Sequence, residues 1–276
     1  MAAVLGALLC AAAVGCRSSG DDSAASDGTG PASALEATLR RSRLFETKRQ
    51  IGLELAAGGD ADVHVGTIQL VTPLYETVSP TDRDATLTAG EPVRLMPIRY
   101  GTARCDTEPE GPPELVAVID GEDVRVPLTE HPAGMLTHLR DLECASAAVL
   151  EDVGLELSGD WTVTDPHTAS GQLTLTQRTP GVTAKVDEVL HNVIFSITTA
   201  NATSPVLTVD DDQPTAAVGV TISASRCDAH ALIEYKRTFK FVVEVRIGDD
   251  DPVRVDVEAQ GDARAVLEEL LRSCIG

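Results

Sequence analysis

Phe239-Lys-Phe-Val-Val-Glu-Val-Arg-Ile247 decides the fold. Side chains alternate along an extended chain, so Phe239, Phe241, Val243, Val245 and Ile247 share one face while Lys240, Glu244 and Arg246 share the other. A slip of one residue would put all five apolar groups in water, which fixes the register. Gly248-Asp-Asp-Asp-Pro252 then breaks the run with turn formers. Val253, Val255 and Val257 resume the alternation, with Arg254 and Asp256 facing outward, and two such runs around a short turn predict a β-hairpin. After Gly261, Asp262 is placed to cap a helix, and Val266, Leu267, Leu270, Leu271 and Cys274 follow at helical spacing.

A degraded copy of this pattern lies about 120 residues upstream. Arg104-Cys-Asp106 corresponds to Arg226-Cys-Asp228, Leu115–Ile119 to the first run, Asp120-Gly-Glu-Asp123 to the turn and Val124-Arg-Val126 to Val253-Arg-Val255. Met135, Leu136, Leu139 and Leu142 then lead to Cys144 as the later helix leads to Cys274. Further upstream, Ile51-Gly-Leu-Glu-Leu55 resembles Val153-Gly-Leu-Glu-Leu157, and Leu87-Thr88 resembles Leu207-Thr208, each before a turn. A period this long means two tandem domains of ~110 residues rather than a solenoid, whose repeats run roughly 20–50 residues.

Elsewhere the chain is short alternating runs set between Gly, Pro, Asp and Thr clusters: Val63–Val71, Tyr75–Val78, Val93–Ile98, Trp161–Thr164, Leu173–Gln177, Val189–Ile197 and Val218–Ile222. Such spacing predicts an all-β protein of two tandem antiparallel β-sandwiches, Ig-like in architecture, each closed by a short C-terminal helix. Leu35–Arg49 reads as a short helix entering a strand at Ile51–Leu55. The expected divisions are a signal peptide at 1–15, a linker at 16–42, a first domain at 43–150 and a second at 151–276.

Residues 2–14 form an uncharged apolar run. It is shorter than the ~20 residues a bilayer-spanning helix needs but suits the core of a signal peptide. It ends at Ala13-Val-Gly-Cys16, which resembles the lipobox of bacterial lipoproteins. The resemblance implies that Cys16 is acylated, with palmitate among the acyl groups, and anchors the mature chain to the outer face of the cell membrane. The rival junction, an Ala-x-Ala cleavage near Ala13, releases a soluble protein and leaves Cys16 as an odd thiol. Removing Cys10 with the leader and lipidating Cys16 leaves four of the six cysteines. Four cysteines allow three pairings, and the repeat selects Cys105–Cys144 and Cys227–Cys274 because each Cys has its counterpart at the same point of the other copy. Residues 17–34 hold no large apolar group and read as a tether.

The formal charge is -21 at pH 7, from 22 Lys and Arg against 43 Asp and Glu. A surface this acidic repels nucleic acid and anionic lipid, so nucleic acid is excluded as a partner. Only 3% of residues are aromatic, so the cores must be built of Val, Ile, Leu and Ala.

Chemistry-bearing motifs are scarce. The sequence holds no Gly-x-Ser-x-Gly elbow, Walker loop, His-Glu-x-x-His or Cys-x-x-Cys, so it assigns no catalytic residue, no metal ligand and no cofactor. Asp210-Asp-Asp212 and Asp249-Asp-Asp251 gather carboxylates, yet each sits where the strand pattern needs a turn. One cluster stands apart, Arg226-Cys-Asp-Ala-His-Ala-Leu-Ile-Glu-Tyr-Lys-Arg237. It resembles a motif, Arg-Cys-Asp-x-His-Ala followed by Glu and Lys, of uncharacterised extracytoplasmic lipoproteins of high-GC Gram-positive bacteria; the resemblance brings a compartment and no reaction. The candidate binding residues are Asp228, His230, Glu234 and Lys236. The structural alternative has Asp228 capping a turn beside the disulfide, His230 bonding backbone and Glu234 pairing with Lys236 across a strand face. The expectation is a lipid-anchored, non-catalytic binding or interaction module that meets an envelope protein or other envelope component. The alternative is a small-ligand or metal-binding lipoprotein using the Asp228/His230 region.

Overall fold

The computed structural model describes residues 35–42, 45, 48–108, 110–201, 203–235 and 237–275. The leader, Cys16 and the tether lie outside the described residues. The first repeat runs β1 (Leu35–Arg40), β2 (Gln50–Ala57), β3 (Val63–Val71), β4 (Thr81–Leu87), β5 (Arg94–Arg99), β6 (Glu114–Ile119), β7 (Glu122–Pro127), β8 (Thr129–His131) and α1 (Met135–Asp152). The second runs β9 (Val153–Asp165), β10 (Thr168–Gln177), β11 (Ala184–Leu190), β12 (Phe195–Thr199), β13 (Leu207–Val209), β14 (Thr215–Ala224), α2 (Ala229–Glu234), β15 (Lys240–Ile247), β16 (Val253–Glu258) and α3 (Gly261–Ile275).

The strands form four sheets, β5-β2-β1-β8 and β4-β3-β6-β7 in the first repeat, β12-β14-β10-β9 and β13-β11-β15-β16 in the second. Among the described residues all strand pairings are antiparallel except β1 with β8. The two repeats superpose in order: β14-β10-β9 answers β5-β2-β1, and β13-β11-β15-β16 answers β4-β3-β6-β7. Each repeat then adds one strand of its own, β8 beside β1 and β12 beside β14. The fold is therefore an all-β pair of sandwiches. In this frame Ile51–Leu55 lies in β2 while Val153–Leu157 lies in β9, the counterpart of β1, so their likeness is not one of position.

The deciding run behaves as its alternation requires. Phe241, Val243 and Val245 are fully buried in β15, and Val243 stands between Val189 of β11 and Val255 of β16. In the first repeat, Asp120 and Gly121 make the β6–β7 turn with φ of 51° and 88°. Two positive φ values are what a two-residue hairpin loop with the right-handed strand twist demands.

The buried side chains fall into two clusters, one drawn from Leu35–Leu136 and one from Val149–Leu270. Aliphatic groups make up most of both. Each fully buried Leu, Ile or Val contributes about 1.5–3 kcal/mol over leaving it exposed. The helix α1 belongs to both clusters: Met135 and Leu136 enter the first and Val149 the second. At 18 residues it is about 27 Å long, and it passes directly into β9. Its first turn has no side-chain cap of its own, and the Leu136 N–H instead donates to Glu130 at 2.7 Å.

Several expectations need correction. Leu35–Arg40 is a strand, not a helix: Leu35, Ala37 and Leu39 are buried at period two against β2. Described structure therefore begins inside the stretch 16–42 assigned to linker. Tyr75–Val78 forms no strand and contributes one bridge, Tyr75 to Ala103. Val189–Ile197 is split into β11 and β12 by a turn at His191–Ile194. The first helix runs past Cys144 to Asp152, and Leu142, expected on its apolar face, is 48% exposed. Asp262 lies inside α3 as an acidic first-turn residue rather than at its cap, and favours the helix through the macrodipole.

Candidate functional site

The Arg226–Arg237 cluster leaves β14, crosses a four-residue loop and enters α2. The structural alternative placed Glu234 on a strand face, but Ala229–Glu234 is helical. Asp228 is the cap. Its Oδ1 accepts the Ala231 N–H at 2.9 Å, and its Oδ2 accepts Arg226 Nε at 3.1 Å. The Ala231 hydrogen bond, helped by Arg226, holds the Asp228 carboxyl below its ordinary value. His230 is exposed on the first turn. Glu234 ends α2, and Lys236 lies outside the described residues. Of the four candidates, the structure brings Asp228 and His230 onto one turn, with the Asp228 carboxylate already engaged.

The disulfides are Cys105–Cys144 and Cys227–Cys274, with Cα–Cα distances of 5.5 and 5.0 Å. The second ties the loop before α2 to the end of α3. Around the first, Arg140 of α1 donates to the carbonyls of Arg104, Cys105 and Thr107 at 2.8, 3.2 and 3.0 Å. The cation there is used up in holding its own loop. Around the second, Arg226 turns to Asp228 and stays on the surface.

Arg226 lines a cleft of about 490 Å³ in the second repeat. One wall is the β11–β12 turn with His191, Asn192 and Val193; another is Ser225 and Arg226; the third is Tyr235, Arg237 and Lys240, with Val242 behind them. Asn192 joins two walls: its Nδ2 donates to the carbonyls of Thr238 and Lys240 at 2.8 and 3.1 Å, and its Oδ1 accepts from the amides of Ile194 and Phe195 at 2.9 and 2.8 Å. Ser225 Oγ donates to the Ile194 carbonyl at 3.1 Å and fixes the third contact line. Beneath the cleft, Phe195 packs against Phe239 and Phe241 at centroid distances of 6.2 and 6.4 Å. Arg264 of α3 lies over the Phe239 ring at 3.5 Å.

Among its described lining residues the cleft has three fixed cations and a histidine, and no carboxylate. The acids sit outside: Asp228 on Arg226, Asp256 on Arg237, and Glu258 on Lys240 at 3.5 Å. A neighbouring cleft of about 640 Å³ has the opposite lining, with Asp187, Glu188 and Glu244 around Arg246. There Arg246 gives Nε and Nη2 to Asp187 at 3.0 and 2.6 Å.

The acidic triplets serve turns. Asp210 accepts the amides of Asp212 and Gln213 at 3.0 and 2.9 Å, and Asp211 accepts from Gly181 N and Gln177 Nε2 at 2.7 and 2.8 Å. Those two bonds hold the Asp211 carboxyl below its ordinary value, the backbone bond foremost. Among the described residues, one set of three ligand atoms converges within 4.8 Å, those of His167, Cys227 and Cys274. Both sulfurs are in the disulfide, which leaves the imidazole alone to offer a lone pair.

Sequence reading found Arg226 and the acidic turns but not His191, Asn192, Val193 or Lys240 as neighbours of the motif. Asn192, a turn former inside an apolar run, was the available signal.

No protein-family model matches the chain, and no curated protein sequence matches it. Among solved structures it is similar to a protein of unknown function from Porphyromonas gingivalis W83, at 12% identity and a TM-score of 0.23, covering 82% of this chain and 99% of that one. It is also similar to red sea bream transglutaminase, at 10% identity and a TM-score of 0.23, covering 83% and 31%. CBD12 from CALX1.2 matches at 9% identity and a TM-score of 0.23, covering 79% and 82%. Likeness at this level carries no argument about what the chain does.

Proposed function

We propose that this chain is a non-catalytic binding module held at the outer face of the cell membrane by lipidated Cys16. Its two tandem domains meet within α1, and the second presents its loop end to an envelope protein or other envelope component. Several features support this reading: the Gly15-Cys16 junction, the uncharged apolar leader, the polar tether and two disulfides, which persist in oxidising compartments. The strongly negative head stays soluble and off anionic lipid, and nucleic acid is not a partner.

The observation that carries the binding role is the cleft beside α2. Its walls are loops pinned by Asn192 and the Cys227–Cys274 bond on a rigid double sheet, the usual design of a recognition surface. The small-ligand alternative through Asp228 and His230 is weakened because Asp228 serves as the α2 cap. Crosslinking in the native envelope followed by purification tests the proposal. A discrete adduct that includes the second repeat is expected. Recovery of the chain without any adduct, or quantitative conversion of an envelope substrate by the purified chain, would overturn it.

A further inference from the structure

We propose that the cleft between the β11–β12 turn and α2 binds a phosphate monoester of a small organic molecule. This deepens the binding-module reading and rests on it. Arg226 from the loop after β14, and Arg237 and Lys240 from the stretch entering β15, line one cleft in a chain with nearly twice as many acids as bases. Three cations on two facing walls offer more donors than a planar carboxylate accepts, and suit a tetrahedral dianion with three acceptor oxygens.

The existing ion pairs leave room for this. Arg226 gives Nε to Asp228, and Arg237 gives one Nη to Asp256, out of five N–H donors on each guanidinium. The carboxylates lie behind the cations, outside the lining. Arg226 and Asp228 are 52% and 49% exposed, so solvent screens their attraction, and a ligand meets little competition from such a pair.

The cleft is also too large for a bare ion. Its volume of about 490 Å³ falls in the range of small-molecule sites. Val193, 40% exposed, and Val242 offer an apolar wall on which an organic body can rest. The net negative field of the chain disfavours anions in general, so affinity for one anion class must come from local geometry.

The test is calorimetric titration of the full chain in nonionic micelles with inorganic phosphate, phenyl phosphate, phenol and phosphatidic acid dispersed in the same micelles. Phenyl phosphate should bind saturably and more tightly than inorganic phosphate, and phenol should not bind. Arg237→Gln and Lys240→Gln should each weaken binding about tenfold. Arg254→Gln, with the same charge change at the exposed pair with Glu244, should leave it unchanged. Saturable binding of phosphatidic acid that is lost in Lys240→Gln assigns the monoester to a lipid headgroup, whereas phenyl phosphate binding alone assigns it to a soluble ester. Absence of saturable binding to all three phosphate probes, or an equal loss in Arg254→Gln, overturns the proposal. If the probes fail while the envelope adduct persists, the ligand class falls and the binding module stands.

Discussion

Asn192 holds Thr238 across the base of the cleft: its Nδ2 donates to the Thr238 carbonyl at 2.8 Å while its Oδ1 takes two amides of its own turn. One amide side chain thus sets the distance between two loops that are 46 residues apart in sequence.

Asn192→Asp keeps the shape and replaces a donor by an acceptor facing two carbonyls. Leaving such partly buried groups unsatisfied costs about 1–3 kcal/mol. Urea melts should show that loss, together with faster amide exchange at Thr238–Lys240. Unchanged stability would show that the two loops are held by something else.

Gly171→Ala should destabilise the second domain. A Cβ at Gly171 would stand 2.3 Å from the Trp161 ring, which lies flat on β10 beside the bulge between Ser170 and Gln172. Forced displacement of a packed ring costs about 1–3 kcal/mol. Trp161 is the one tryptophan of the chain, so its emission reads the change directly. An emission maximum and melting point equal to the parent's would contradict the contact.

Asp228→Asn should show its effect only above the acid range. The folded carboxyl titrates below its ordinary value of 3.8 because the Ala231 amide and Arg226 favour the charged form. A depressed folded value means stabilisation that is complete above pH 3.8 and is lost as pH falls through the folded value. The stability difference between parent and Asp228→Asn should therefore be constant at neutral pH and shrink below pH 3.8. A difference that persists unchanged into that range would assign it to another group.

Cys274→Ser should loosen the second domain and leave the first nearly intact. Opening a loop of 47 residues removes roughly 4 kcal/mol in the chain-entropy model. Hydrogen exchange should rise across β15, β16 and α3 and stay low in β2, β3 and β6. Equal deprotection of both sets would mean that α1 couples the two cores into one cooperative unit.

The sheets were legible where apolar alternation is strong and both neighbours are buried, as at Phe241, Val243 and Val245. The edge strand β4 was not legible: it is Thr-Asp-Arg-Asp-Ala-Thr-Leu, with polar groups on an exposed edge and no apolar period to read. The strand β1 was hidden because Ala37 is too small to mark the alternation between Leu35 and Leu39. Helix α2 was missed because Ala-Leu-Ile after His230 reads equally as strand or helix over so few residues, and the Asp228 cap decides it. The cleft was beyond sequence reading altogether. The wall at His191–Val193 lies 32 or more residues before the other two in sequence, and only the pairing of β11 with β15 and of β12 with β14 brings them together.

A photo-crosslinking residue placed singly at Val193 on the cleft wall, or at Val93, 56% exposed in the first repeat, tests the binding role most directly when both chains are irradiated in the native envelope. A discrete adduct from position 193, weakened by Lys240→Gln and absent from position 93, is the expected result. Equal labelling from both positions, or labelling from 93 alone, would contradict the assignment of recognition to the second domain's cleft.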